Sequence, residues 1–284
     1  MKLTMLSGLP GSGKTTEARA EVVATGNSGR INRDDLRAML FDSVWSGKRE
    51  QVVIDCEKAI AHILFDHAMN PIIDDTNLSN RHRDMWLDVA KQRGQNYMRH
   101  DFAVDIAICR ERDAKRVKSV GRAVIDRMAL QNGMIEWGDK PLLLCDIDGT
   151  LSDGSHREHL VQGENKDWPA YFAKMFEDGP NSEIIRKVND LYPTHTVCLV
   201  SGRPDTYQRE TMLWLIKQGV PYHWLFMRPG SDRRPDVQIK AEFLKHMPKD
   251  KIALVIDDRP VVCRMWEENG LTVEWVRGRD CLEF

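Results

Sequence analysis

Apolar residues come along this chain in short runs, separated by longer stretches whose apolar positions recur at helical spacing. Residues 3–7 read as a strand, 15–25 (TTEARAEVVAT) as a helix of good helix formers, and 30–32 as a second short strand. A helix begins at Asp34 and runs to 41, and a longer one covers 50–69. Residues 71–75 (PIIDD) form a strand ending in carboxylates, followed by a helix over 81–93, a strand over 97–104 and a helix over 105–116. A second alternation begins at 142–145 (LLLC) and continues through 196–200, 252–256 and 271–276. Between the two series, residues 132–141 (NGMIEWGDKP) carry Gly, Pro and charge without periodicity and are assigned as a linker. No internal repeat or low-complexity tract is present. The pattern predicts an α/β protein of two doubly wound parallel-sheet domains, 1–138 and 139–284, with sites at the carboxyl ends of the strands.

Composition narrows this only a little. Charged residues make up 30% of the 284, and the formal net charge is −2. Any nucleic-acid binding must therefore come from local basic patches. The six cysteines (Cys56, Cys109, Cys145, Cys198, Cys263, Cys281) are scattered without CxxC or zinc-finger spacing, which fits a reduced cytoplasmic protein. No apolar run approaches the roughly 18 residues that span a bilayer, and the opening MKLTMLSGLPGSGK reads as a strand entering a glycine loop.

Two segments carry phosphate chemistry. In GLPGSGKT (residues 8–15), Gly8, Gly11 and Gly13 let the backbone turn its N–H groups toward phosphate oxygens, with Ser12 in the loop. Lys14 reaches the β- and γ-phosphates, Thr15 offers a hydroxyl to Mg²⁺, and Thr16 follows at the positive end of the next helix. ATP with Mg²⁺ is the ligand this loop implies. In INRDDLR (31–37), an acid at a helix start can accept a proton from a hydroxyl that attacks the γ-phosphate. Asp34 and Arg37 share a helix face there, although a helix N-cap also accounts for an Asp. Asp75 and Asn77, in DDTN (74–77), end a strand where they can orient Mg²⁺ or the loop, or form an Asx turn. The basic run RERDAKRVKSVGR (110–122) is a solvated face or a lid, with Arg112 and Arg116 one helical turn apart.

The second segment is DIDGTL (146–151). Strand alternation turns Asp146 and Asp148 to one side and Cys145 and Ile147 to the other. Asp146 can attack phosphorus, while Asp148 protonates the leaving oxygen and then activates water. Such chemistry calls for a hard cation, for which Asp257 and Asp258 (VIDDRP) join the first two acids as Mg²⁺ ligands. Ser201, Gly202 and Arg203 (LVSGRP) can grip a phosphate, and Lys240 (DVQIK) can neutralise an aspartyl-phosphate. The polar insert after Leu151 contains His156, Arg157 and His159; its histidines read as surface residues. It is too short for a full cap domain, which leaves the site open to a polymer end.

Taken together, GLPGSGKT, NRDDLR, DDTN and the basic run, followed by DIDGT, SGR, DxxxK and IDDR, resemble one family over nearly the whole chain: the bacteriophage-type bifunctional polynucleotide 5′-kinase/3′-phosphatase. The second half alone is similar to the haloacid-dehalogenase superfamily. The resemblance implies Lys14 and Thr15 in nucleotide binding, Asp34 as general base, Arg37 on the acceptor's 3′-phosphate, and Arg112 and Arg116 as lid arginines, Arg116 on the donor phosphates. It implies Asp146 as phosphatase nucleophile, Asp148 as acid/base, and Arg157, Arg203, Lys240, Asp257 and Asp258 as phosphate or Mg²⁺ contacts. It further implies RNA or DNA ends as substrates, 2′,3′-cyclic phosphates among them, action upstream of a ligase in an infected cell's cytoplasm, and a homo-oligomer. One departure is the insert over 161–179 with its aromatic run WPAYF. Two other readings stay open: a small-molecule P-loop kinase fused to an unrelated phosphatase, and a non-catalytic protein that binds nucleic-acid ends.

Overall fold

The computed structural model describes residues 1–279; Cys281 lies outside them. The chain divides into two compact units, Met1–Ser119 and Val120–Phe284.

The first unit runs β1 (Lys2–Ser7), α1 (Lys14–Thr25), β2 (Ser28–Ile31), α2 (Arg33–Phe41), α3 (Gly47–Asp66), β3 (Asn70–Asp74), α4 (Asn80–Gln92), β4 (Asn96–Asp101) and α5 (Ile106–Ala114). Its sheet has the order β2-β3-β1-β4, with every pairing parallel. Leu3, Met5 and Ile73 pack with Ala61 and Phe65 of α3 and Trp86 and Val89 of α4. Their neighbours Leu6 and Ile72 instead meet Ala18 of α1. Helices thus cover both faces, which is why the central strands read as continuous apolar runs. Leu6 is in register with Asp74, so the loop after β1 starts beside the end of β3.

The second unit runs α6 (Arg122–Gln131), β5 (Leu142–Cys145), β6 (Ser152–Asp153), α7 (Ser155–Glu158), α8 (Trp168–Ala173), β7 (Gly179–Pro180), α9 (Ser182–Leu191), β8 (Thr196–Pro204), α10 (Gln208–Lys217), β9 (Trp224–Arg228), α11 (Asp236–Leu244), β10 (Ile252–Asp257), α12 (Pro260–Glu268) and β11 (Val273–Trp275). Its main sheet is parallel, in the order β11-β10-β5-β8-β9, and β6 and β7 pair as a small antiparallel ribbon. Leu143, Cys145, Leu199 and Leu225 pack with Ile184 and Val188 of α9 and with Trp214 of α10. Phe226 faces the other way, against Phe243 of α11. The ends of β5, β8 and β10 lie side by side.

The structure departs from the sequence expectation at α6. Asp126, fully buried, accepts a hydrogen bond from the Leu225 N–H (3.0 Å), and Arg127 pairs with Asp205 (2.7 Å). Ala123 belongs to the second unit's core. Residues 132–141 hold no helix or strand, as expected of a linker, yet they lie inside the second unit. Composition marks where regular structure breaks; it does not show which core a helix joins. Strand β9, bracketed by Pro221 and Pro229, was not anticipated.

Candidate active sites

The loop after β1 is shaped by glycine. Gly11 and Gly13 have φ of 82° and 104°, where a side chain is strained. A Cβ on Gly11 would also stand 2.4 Å from the Cys109 carbonyl oxygen. The buried Lys14 Nζ donates to the Gly8 and Leu9 carbonyls (both 2.8 Å) and to Ser12 Oγ (3.2 Å). Burial pushes its pKa down to about 8, against the raising influence of Asp74. Thr15 Oγ1 donates to Asp74 Oδ1 (3.2 Å), while Thr16 is exposed in the first turn of α1. The Arg112 Nη1 atom lies 4.0 Å from where a Gly13 Cβ would sit. The loop residues, Asp74 and Arg112 are therefore gathered at one strand end.

Arg116 stands differently from the expectation. It lies beyond the end of α5, so it is not on a shared helix face with Arg112. Its guanidinium is 3.5 Å from the buried Asp113 carboxylate.

The Lys14 environment gives a pH expectation. At pH near 9 the free amine is mostly neutral; triphosphate charge beside it raises its pKa and draws a proton back. ATP binding at that pH is expected to take up close to one proton per site, and to take up fewer as the pH falls below 8. Calorimetry in buffers of different ionisation enthalpy measures this; proton uptake independent of pH would contradict it.

The acceptor side is organised by α2. Asn32 caps the helix, accepting from the Asp35 N–H (2.9 Å), and its amide nitrogen reaches the Asp74 carbonyl. Asp34 is consequently not a cap. Its carboxylate is 83% exposed and contacts the Arg37 guanidinium. Arg37 also holds Glu50 through Nε and Nη2 (3.0 and 2.9 Å). Asp75 and Asn77, expected among the substrate contacts, are placed differently. Asp75 accepts from the Arg33 N–H (2.9 Å), fixing the start of α2. Asn77 is fully buried and donates to the Leu6 carbonyl (2.8 Å), bracing β1. Nearby, Arg33 binds the buried Glu57 (2.7 Å), whose pKa rises to about 9 through burial and then through the charge of Asp75. Neither Glu50 nor Glu57 lies in a motif, and both were missed from sequence.

In the second unit, Asp146 leaves the end of β5 with its N–H on the Ile256 carbonyl (3.0 Å). Its carboxylate lies 2.7 Å from Lys240 Nζ, which also meets Asp257 (2.9 Å) and Asp236 (3.4 Å). Burial pushes the Asp146 pKa up, and Lys240 opposes the shift. Asp146, Asp257 and Asp258 each place an oxygen within 4.8 Å of the others. Asp258 Oδ1 is buried without a hydrogen-bond partner. An all-carboxylate trio with an unsatisfied buried oxygen suits a hard divalent cation such as Mg²⁺.

The Asp148 carboxylate stands apart from that trio, contrary to its expected place among the metal ligands. Two buried guanidiniums claim it: Arg203 through Nε and Nη2 (both 2.8 Å) and Arg157 through Nη2 (2.6 Å). Burial would raise its pKa, but Arg203 and then Arg157 hold it well below the usual carboxylate range. Both arginines also contact the buried Asp178, which no motif announced. His156 reaches Asp178 as well (3.1 Å). Ser201 Oγ accepts from the Arg203 N–H (3.2 Å). Gly202 permits close approach: a Cβ there would fall 2.2 Å from Asp236 Oδ1. Asp236 heads the DxxxK spacing. Two thiols lie behind the carboxylates, Cys145 Sγ donating to the Asp146 carbonyl (3.2 Å) and Cys263 Sγ to that of Asp257 (3.4 Å). Burial raises the pKa of both.

A glycine loop on a buried lysine and an aspartate cluster on a second parallel sheet define a P-loop kinase domain joined to a haloacid-dehalogenase-like phosphatase domain. Residues 3–131 match the AAA domain family, and residues 140–280 match the phosphatase domain of polynucleotide kinase. The chain thus carries an AAA domain followed by a polynucleotide kinase phosphatase domain. It is 26% identical over 314 aligned positions to a protein of Autographa californica nuclear polyhedrosis virus described as a bifunctional polynucleotide kinase/RNA ligase. That alignment takes in 100% of this chain and 43% of the viral protein, so the chain spans less than half its relative's length. Among solved structures, a chain of the Pnkp1/Rnl/Hen1 RNA repair complex is 28% identical, covering 99% of this chain and 97% of that one, with a TM-score of 0.42. Mycobacterium tuberculosis APS kinase CysC, in complex with AMPPNP and APS, is 22% identical over 43% of this chain and 75% of its own, with a TM-score of 0.36. No helix among the described residues is long and apolar enough to cross a membrane.

Proposed function

We propose that the protein heals nucleic-acid ends: it transfers the γ-phosphate of ATP to 5′-hydroxyl ends and removes 3′-phosphates, leaving ends that a ligase can join. The observation that carries this is a polynucleotide kinase phosphatase domain on the same chain as a fully equipped P-loop. In the kinase half, Lys14 and the loop amides would hold the triphosphate with Arg112 beside it, and Thr15 and Asp74 would supply oxygens for Mg²⁺. Arg116 reaches the donor phosphates by leaving Asp113. The exposed Asp34 accepts the 5′-hydroxyl proton, and Arg37 holds the acceptor's 3′-phosphate.

In the phosphatase half, Asp146 attacks the phosphorus and Lys240 neutralises charge on the phosphorylated aspartate. Asp146, Asp257 and Asp258 would hold Mg²⁺, which supplies Lewis-acid charge neutralisation when bound. Ser201, Gly202, Arg203 and Arg157 grip the phosphate. Asp148 is an ionised acceptor in the ion-paired state seen here. It can donate a proton only once substrate phosphate draws Arg203 and Arg157 away and its affinity for protons recovers.

Incubation with labelled ATP, Mg²⁺ and a 5′-hydroxyl oligonucleotide tests the kinase assignment, and phosphate release from a 3′-phosphorylated oligonucleotide tests the other. Label that stays on ATP, or moves only to small metabolites, would favour a small-molecule kinase. Arg37 offers a sharper expectation. A nucleoside 3′-monophosphate should be a far better acceptor than the bare nucleoside. Arg37→Ala should raise its KM by roughly 10- to 100-fold, with a smaller fall in kcat, because a charged hydrogen bond contributes about 1.5–3 kcal/mol. Equal use of both acceptors by the unmodified protein would reject that role.

A further inference from the structure

The aromatic run in the phosphatase insert is a shelf fixed beside the reacting groups. Helix α8 starts from the Asp167 cap, whose carboxylate accepts from the Ala170 N–H (2.9 Å), with a proline in its first turn. Trp168, Tyr171 and Phe172 stand at i, i+3 and i+4 and so share one face. Trp168 and Phe172 stack at 5.9 Å, with Tyr171 edge-on to both at 5.7 and 5.4 Å. The shelf continues to Tyr207, 5.2 Å from Phe172 and only four residues beyond Arg203.

None of these four rings is in the core cluster around β5, β8 and β9 among the described residues. Trp168 remains 45% exposed. Tyr171 and Phe172 are half-buried beneath it, so the six-residue helix supports one open aromatic face at Trp168. Its anchorage points to the site. The Arg157 guanidinium lies 3.9 Å from the Tyr171 ring centroid, and its Nη1 donates to the Tyr171 carbonyl (3.3 Å). The same guanidinium donates to Asp148 (2.6 Å). One arginine therefore ties the aromatic shelf to the carboxylate next to the phosphorus-attacking group.

We propose that Trp168, with Phe172 and Tyr207 behind it, stacks the base of the nucleotide whose 3′-phosphate is removed. The inference rests on the end-healing reading and names its recognition element. A phosphate held by Arg203 and Arg157 must carry its sugar and base outward, and the shelf adjoins those arginines. Stacking accepts any base, since every base has a π-face, so the subsite gives affinity without strong sequence preference.

The test compares full-length protein and variants on two oligonucleotides with 3′-phosphate ends, one with a normal terminal base and one abasic there. Base–aromatic stacking is worth about 1–3 kcal/mol per base, or roughly 5- to 150-fold in binding. Unmodified protein should show a KM lower by such a factor for the base-bearing end. Trp168→Ala should raise KM for that end and bring the two KM values close together, with kcat changing far less. Trp168→Phe should restore most of the difference, which a variant that had merely lost its fold would not do. An unchanged KM ratio in Trp168→Ala, or a loss confined to kcat on both ends alike, would overturn the subsite. Unmodified protein that hydrolyses p-nitrophenyl phosphate but neither oligonucleotide would remove the end-healing reading itself, and the subsite with it.

Discussion

Asp146→Asn is expected to reduce 3′-phosphatase turnover by at least ~10⁴-fold, the order seen when a catalytic nucleophile is lost. The amide keeps the shape of the side chain but cannot form an acyl phosphate. It also weakens the carboxylate trio with Asp257 and Asp258 and leaves Lys240 one ion pair fewer. The kinase rate should stay near its starting value, because the residues assigned to it lie within Met1–Ser119. Lys14→Ala should produce the reverse pattern. Fluoroberyllate, which mimics a phosphoryl group on a carboxylate, should inhibit only the phosphatase. Both activities should be measured on one Asp146→Asn sample whose fold is verified by circular dichroism. Retained phosphatase would strip Asp146 of its role, and an equal loss of kinase would show the two activities to be coupled.

Asp34→Ala should slow 5′-phosphorylation by about 10²–10⁴-fold, the usual contribution of a positioned general base. Asp34 and Asp35 differ in their arginine partners. Both carboxylates are exposed and paired, Asp35 with Arg30 (2.6 Å), which also grips Asp74, and Asp34 with Arg37, the arginine assigned to the acceptor. Stability should change little, since an exposed first-turn acid carries no packing and the helix keeps its Asn32 cap. If Asp35→Ala stops the reaction and Asp34→Ala does not, the base is the other acid.

Elements whose chemistry is local were legible in the sequence. The glycine loop announced itself because left-handed backbone and phosphate contact both need small residues at fixed offsets. The carboxylates of DIDGT and IDDR did so because strands β5 and β10 end in unbroken apolar runs that leave few alternatives. What escaped were partners set by tertiary contact. Asp178 organises two arginines from the far side of the insert, and Glu50 and Glu57 lie along the ordinary helix α3. Asn77 was visible as a polar residue at a strand end, but its burial was not. Arg116 was misplaced because helix α5 stops at Ala114, two residues short of the periodicity. The same limit hid the allegiance of α6, whose apolar face fits a sheet and does not say which one.

The thiols behind the phosphatase carboxylates have a chemical consequence of their own. Cys145 and Cys263 donate their S–H groups to backbone carbonyls, and their burial beside acidic groups keeps them protonated. Reaction with oxidants and electrophiles proceeds through the thiolate, the form this setting suppresses. In the reaction proposed for this site, the hard oxygen of Asp146, and not the softer sulfur behind it, meets the phosphorus. Peroxide and alkylating agents are therefore expected to react slowly at these two thiols.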